Sequence, residues 1–428
     1  MWARVRTIGR RLELSLTGSL PEGVRRNLRI ETSAAVAYGI FYAVAILFMP
    51  VVLRRLGASV GLLALYTAQT YLGSVLATFG VLLMRRRHPM TFSTFCWLAG
   101  RSLLLATFLI TAAGPLLVLT ALFWLLEAFP APAYARIVQA IYPARYRGRA
   151  LAVVRTGQVL ALVLCTPLAG LGLDYLGYRV LFPAAGVIGI LSALLFTRLR
   201  IDPAALTPLR PRSLGGVWAL LGQNRRFAIY LSGFAVYGLG FLMGAPLFPI
   251  VQVDRLQLSY TALGYLGLVQ SLSWLLGNML WGRLVDRRGG LWVVRANVGL
   301  AMLVPLTYIL AFDAWTLLPA FIVQGLISAG IDLGILNAGI ELSSPESVAE
   351  YSALQATIIG LRGMAGPFVG VALVELGLSN QAVFAIGCGF ILAAWLILGR
   401  AVIGSRGSRI EDRGSRVEYR GSRVEDRR

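Results

Sequence analysis

Long apolar runs separated by short polar links dominate the chain. A helix crossing a bilayer needs roughly 18 to 26 such residues, and on that scale the pattern predicts twelve spans: 32–53, 59–84, 91–113, 115–135, 150–173, 180–197, 227–251, 260–284, 291–312, 315–340, 351–376 and 381–398. The longest internal link, 198–226, follows the sixth span and carries Pro203, Pro208 and Pro211. It divides the chain into an Arg-rich N-terminal segment 1–30, a six-helix bundle 31–197, a linker 198–226, a second six-helix bundle 227–400 and a tail 401–428. The expected fold is therefore an all-α polytopic membrane protein.

The two halves echo each other at an offset close to 200 residues. Ser59 answers to Ser259, Gln69 to Gln270, Thr166-Pro167 and Gly170 to Gly366-Pro367 and Gly370, and Leu176-Gly177 to Leu376-Gly377. Any one match is cheap in apolar sequence, but a constant offset over several regions argues for two related six-helix units.

Composition sharpens the membrane reading. Of 428 residues, 57% are hydrophobic and 14% charged, too little polar surface for a soluble domain of this size. The net charge of +21 comes from 40 basic residues, all arginine. They lie in links and tails rather than on one face, which argues against a nucleic-acid partner. Arg4, Arg6, Arg10, Arg11, Arg25, Arg26 and Arg29 precede the first span, which does not fit a cleaved secretory signal. Arg85 to Arg87, Arg145, Arg147, Arg149, Arg198, Arg200, Arg210, Arg212, Arg225, Arg226, Arg283, Arg287 and Arg288 fall on one side, against Arg54, Arg55, Arg179 and Arg255 on the other. Positive-inside bias then places both termini in the cytoplasm and the protein in the plasma or inner membrane.

One link stands out: Gly282-Arg283-Leu284-Val285-Asp286-Arg287-Arg288-Gly289-Gly290. It reads as a glycine-bounded turn in which Gly282 permits close backbone approach, Gly289 and Gly290 permit positive φ, and the Asp286/Arg287 pair forms a contact that breaks when the flanking helices move. The plainer alternative is a loop that only anchors topology.

Twelve spans in six plus six, the Gly282-x-x-x-Asp286-Arg287-x-Gly289 pattern after the eighth, Pro143-x-Arg145-x-Arg147-Gly148-Arg149-Ala150 after the fourth, and Gly366-Pro367-x-x-Gly370 in the eleventh together resemble the major facilitator superfamily of secondary transporters. The resemblance covers roughly residues 28–399. It implies two bundles rocking about a central site, with the first, fourth, seventh and tenth spans lining the cavity and the second, fifth, eighth and eleventh at the seam. The sequence departs from the family pattern after the second span, where Met84 to Pro89 has neither the acid nor the glycines, and in the fifth span, where Thr166-Pro167-Leu168-Ala169-Gly170 matches only in part.

Charge inside a bilayer costs roughly 2.5 to 3.5 kcal/mol at a helix centre, so each ionisable residue there needs a reason. Glu127 and Asp332 are the candidate proton carriers, with a structural ion pair as the equal alternative. Gln324, Ser328 and Asp332 share a helix face. Arg101 is expected to pair with a carboxylate such as Glu127, and Arg362 either to bind an anionic solute or to lock to Asp332. Tyr38 and Tyr42 join Glu31 on one stripe of the first span, and Tyr230, Phe234, Tyr237 and Phe241 form another on the seventh. Gln69, Gln270 and Asn337 complete the substrate-pathway candidates. At the cytoplasmic gate, Asp286 is expected near Arg149, and Arg287 within reach of Glu341.

Cys96, Cys165 and Cys388 have no metal spacing, and His88 is the single histidine, which leaves no catalytic triad, metal site or cofactor to expect. No phosphate-cradling loop is present, so transport would be secondary. The chain is thus read as a non-enzymatic, monomeric transporter with a small organic solute, protons and lipid as partners. Proton-coupled, drug-efflux-like export is the first reading. Uptake of a polar or anionic metabolite through Arg362, or a non-transporting receptor or scaffold, are the alternatives. The seven-residue units beginning at Gly407, Gly414 and Gly421 have mixed charge and few apolar residues, and predict a disordered tail.

Overall fold

The structure is a computed structural model that describes residues 20–76, 88–202, 221–222, 224–343 and 348–425, without side-chain detail at 144, 348–350 and from 403 onward. The segment before residue 20, the Arg85 to Arg87 link and most of the 198–226 linker lie outside the described residues. Among the described residues every regular element is helical.

The helices follow the expected spans: α1 Glu22–Phe41, α2 Val60–Gln69, α3 Pro89–Ser102, α4 Ala113–Ala128, α5 Ala144–Leu176, α6 Tyr178–Phe196, α7 Arg225–Met243, α8 Tyr260–Arg288, α9 Gly290–Ala301, α10 Leu318–Leu342, α11 Val348–Glu375 and α12 Asn380–Glu425. Nine stretches among the described residues are long and apolar enough to cross a membrane. The other three fall short for local reasons. α2 runs into residues outside the description, α3 passes into a 3₁₀ turn at Leu103–Phe108, and α8, although 29 residues long, carries Gln270, Ser271, Ser273 and Asn278.

Several breaks follow from sequence. Pro130 and Pro132 interrupt the i→i−4 ladder, and the fourth span restarts as Ala131–Ile141. π-helical turns at Tyr42–Ile46 and Val251–Arg255 interrupt the α-helical pattern of the first and seventh spans, as single-turn bulges in a helix do. The backbone of α12 continues as helix to Glu425, through the repeat units that the sequence reads as disordered.

The charged stretch at Gly282 is not a turn. α8 continues through it to Arg288, and the chain reverses only at Gly289, whose φ is +88°. The C-terminal end of a helix favours cations, so Arg287 and Arg288 extend the helix instead of ending it. A Cβ at Gly282 would meet nothing within 4 Å, whereas one at Gly290 would press on Asn337 Cβ at 2.8 Å. Close backbone approach therefore belongs to Gly290, where α9 crosses α10. Glu341 accepts a hydrogen bond from the Leu291 N–H at 3.3 Å, capping the start of α9 rather than meeting Arg287. Asp286 and Arg287 are exposed.

The chain divides into two compact units, one from the described residues within 1–52, 76–210 and 259–268, the other from those within 53–75, 211–258 and 269–428. In the first, α1 packs along α5 and α6; in the second, α7 packs along α11 and α12, and α9 along α10. Two short pieces cross the sequence halves: 53–75 joins the second unit, and Ser259–Leu268 the first.

Candidate functional site

Each unit holds a cavity of its own, with ionisable and amide side chains in a largely apolar lining. That of the first is about 310 Å³ and is lined by Glu31, Tyr38, Arg101, Glu127, Tyr134 and Arg155 among others. Arg101, on α3, is 4% exposed. Its Nε donates to Glu127 Oε1 at 2.7 Å and its Nη2 to Glu127 Oε2 at 3.4 Å, while Nη1 donates to the Gly189 carbonyl at 3.2 Å and Ser192 Oγ at 3.1 Å. Ser192 in turn donates to the Ala34 carbonyl at 2.7 Å, and the Arg101 guanidinium lies 4.7 Å from the Tyr38 ring centroid. A buried guanidinium is tolerated only when its donors are satisfied. Here that requirement ties α3 to α4 and α6, and α6 to α1. Arg101 therefore meets the carboxylate expected for it.

Glu31, 2% exposed, is held differently. Tyr134 donates to Oε1 at 2.7 Å and Tyr142 to Oε2 at 2.5 Å. Both oxygens accept from phenol hydroxyls, and among the described residues no hydrogen bond or ion pair joins them to a cation.

The second unit's cavity is about 280 Å³, lined by Tyr71, Tyr237, Phe248, Gln270, Gln324, Ser328 and Arg362 among others. Arg362, on α11, is 8% exposed. Its Nη1 donates to the Phe234 carbonyl, and its guanidinium sits 3.8 Å from the Phe234 ring centroid and 5.4 Å from that of Tyr237. Gly238 makes the room, because a Cβ there would occupy the space of the arginine side chain. The Nε of Arg362 is buried without a hydrogen-bond partner. Leaving a buried charged donor unpaired costs about 1–3 kcal/mol or more, so Arg362 is held beside this cavity at a cost.

The candidates named from sequence divide accordingly. Glu127, Arg101 and Tyr38 meet in the first cavity, with Tyr42 packed on Tyr38 at 6.1 Å between centroids. Arg362, Tyr237, Gln270, Gln324 and Ser328 meet in the second. Asp332 lies one turn beyond Ser328 on α10, exposed and outside that lining. Gln69 is buried on α2. Asn337 turns its Nδ2 onto the Leu333 carbonyl of its own helix at 2.7 Å, beside Gly290, and lines neither cavity.

Tyr71 and Phe248 enter the second cavity without any sequence signal, since each is one aromatic among many in an apolar run. Tyr142 and Ser192 are likewise missed. Tyr134 stands two residues after Pro132, and its partner Glu31 lies 103 residues away.

Long apolar helices, with cavities among them that polar side chains help to line, fit a multi-pass membrane protein. Residues 32–312 and 230–418 match the sequence profile of the Major Facilitator Superfamily, and the chain belongs to that family. Among solved structures it is similar to the nucleoside transporter NupG, with a TM-score of 0.68 and 12% identity over 89% of this chain and 99% of that one. It is also similar to a bacterial homologue of the human lysosomal transporter Spinster, inward-facing and unoccupied, with a TM-score of 0.58 and 17% identity over 90% and 96% of the two chains. At these identities the likeness shows the fold.

Proposed function

We propose that the chain is a secondary transporter in the plasma or inner membrane, with both termini cytoplasmic, and that its solute binds in the cavity around Arg362. The observation that carries this reading is the buried Arg362 guanidinium, held by the Phe234 carbonyl and lining a cavity with Tyr71, Gln270, Gln324 and Ser328. A guanidinium over aromatic rings in the wall of a cavity suits a small solute that offers an acceptor or anionic group beside a flat apolar part. It repels a lipophilic cation. The arginine thus favours a polar or anionic metabolite, while the rings of Tyr237, Phe241 and Phe248 keep an aromatic solute within the reading. Nucleosides, the solutes in the name of one structural neighbour, combine both features.

The test is counterflow in proteoliposomes with radiolabelled uridine, succinate and tetraphenylphosphonium, for wild type and R362Q. A charge-assisted hydrogen bond contributes about 1.5–3 kcal/mol, roughly 10- to 150-fold in affinity. Uridine or succinate exchange is expected in wild type, weakened by that factor in R362Q. Exchange of tetraphenylphosphonium alone, unchanged in R362Q, would overturn the assignment.

A further inference from the structure

We infer that Glu31, and not the more conspicuous Glu127, is the proton-binding carboxyl of the first unit; its place in coupling rests on the transporter reading above. The two acids share one cavity but answer a proton differently. Glu127 is paired with Arg101 through both oxygens. Protonating it would break a buried charge-assisted pair and leave Arg101 with two neutral acceptors and a ring, a large loss in a low-dielectric site.

Glu31 gives up nothing comparable. Its partners are two phenols, at 2.7 and 2.5 Å, and a hydroxyl is both donor and acceptor. When Glu31 is charged, Tyr134 and Tyr142 donate to it. When it takes a proton, one phenol oxygen turns to accept the carboxylic O–H while the other continues to donate. Both hydrogen bonds survive in either state, so the geometry tolerates both.

The surroundings keep that choice open. On α3 and α4 the facing charges, Arg101 and Glu127, neutralise each other. On α5, Arg155 lines the same cavity and donates to Gln158 Oε1 at 3.0 Å. α6 presents Ser192, which is engaged by Arg101. Tyr38 faces the cavity from Glu31's own helix.

Full-length protein in lipid nanodiscs is titrated with acid while the carboxylic-acid carbonyl band is followed by infrared difference spectroscopy, for wild type, E31Q, E127Q and Y142F. A band that grows on acidification in wild type and E127Q, is absent in E31Q and is displaced in Y142F is the expected result. A band unaltered in E31Q, or undisplaced in Y142F, overturns the inference. This readout needs no solute and is therefore separate from the transporter reading. In proteoliposomes with uridine or succinate, E31Q should keep counterflow and lose accumulation driven by a pH gradient; gradient-driven accumulation at the wild-type level refutes the coupling role.

Discussion

The Arg101–Glu127 pair offers a stability prediction that can be worked from its contacts. The side chains are 5% and 10% exposed, so solvent screens them little and the buried-pair regime applies. Arg101→Met removes both hydrogen bonds to Glu127 and strands that carboxylate, which should cost about 3–5 kcal/mol. Glu127→Met strands the guanidinium in turn: Arg101 keeps the Gly189 carbonyl, Ser192 Oγ and the face of Tyr38 but loses its counter-charge, and the loss should again be about 3–5 kcal/mol. The double variant replaces the pair by apolar groups of similar length and should be far more stable than the sum of the singles, because neither charge is left alone. The coupling expected from a double-mutant cycle, read by reversible unfolding in mixed micelles, is about 2–4 kcal/mol. Additivity within about 0.5 kcal/mol would refute the reasoning and make the pair incidental to packing.

Two glycine comparisons follow from the same structure. Gly290→Ala should destabilise by about 1–3 kcal/mol, because the new methyl group presses on Asn337 in a close-packed crossing. Gly282→Ala, in open space within α8, should gain up to about 1 kcal/mol of helix propensity; thermal unfolding of both in detergent checks the pair. Gly177→Ala and Gly377→Ala, at φ of +74° and +89° with nothing within 4 Å of the added methyl, should each lose about 1–2 kcal/mol through backbone strain alone, and a loss at only one would break the expected equivalence.

The architecture was legible because a bilayer imposes a length on every apolar run, and the superfamily was legible in the spacing of motifs between runs. Arg101 with Glu127 was legible for a related reason, since buried charges have few partners to choose from. What the pattern could not give was any decision made by packing. Whether Gly282 or Gly290 sits at a helix crossing depends on which face α9 presents to α10. The partners of Glu31 come from the end of the fourth span and the link beyond it, and no periodicity joins them to α1. Asp332 shares a face with Ser328, yet the cavity closes before reaching it. The helical run to Arg288 was hidden because arginines are as much at home in a last helical turn as in a loop.

The 200-residue echo reaches further than matching letters. Positive φ occurs at Gly57 and Gln257 and again at Gly177 and Gly377, and Ser59 and Ser259 each cap the helix that follows, at 3.3 and 3.0 Å. At 257 the glycine is gone but its torsion remains, and the Gln257 amide donates to the Asp254 carbonyl at 2.9 Å, offsetting part of a conformation that L-residues avoid. Arg54, whose counterpart in the echo is Asp254, binds that same aspartate, so equivalent places in the two halves now carry opposite charges. A duplicated chain can thus diverge into complementary parts while its backbone still records that they began alike.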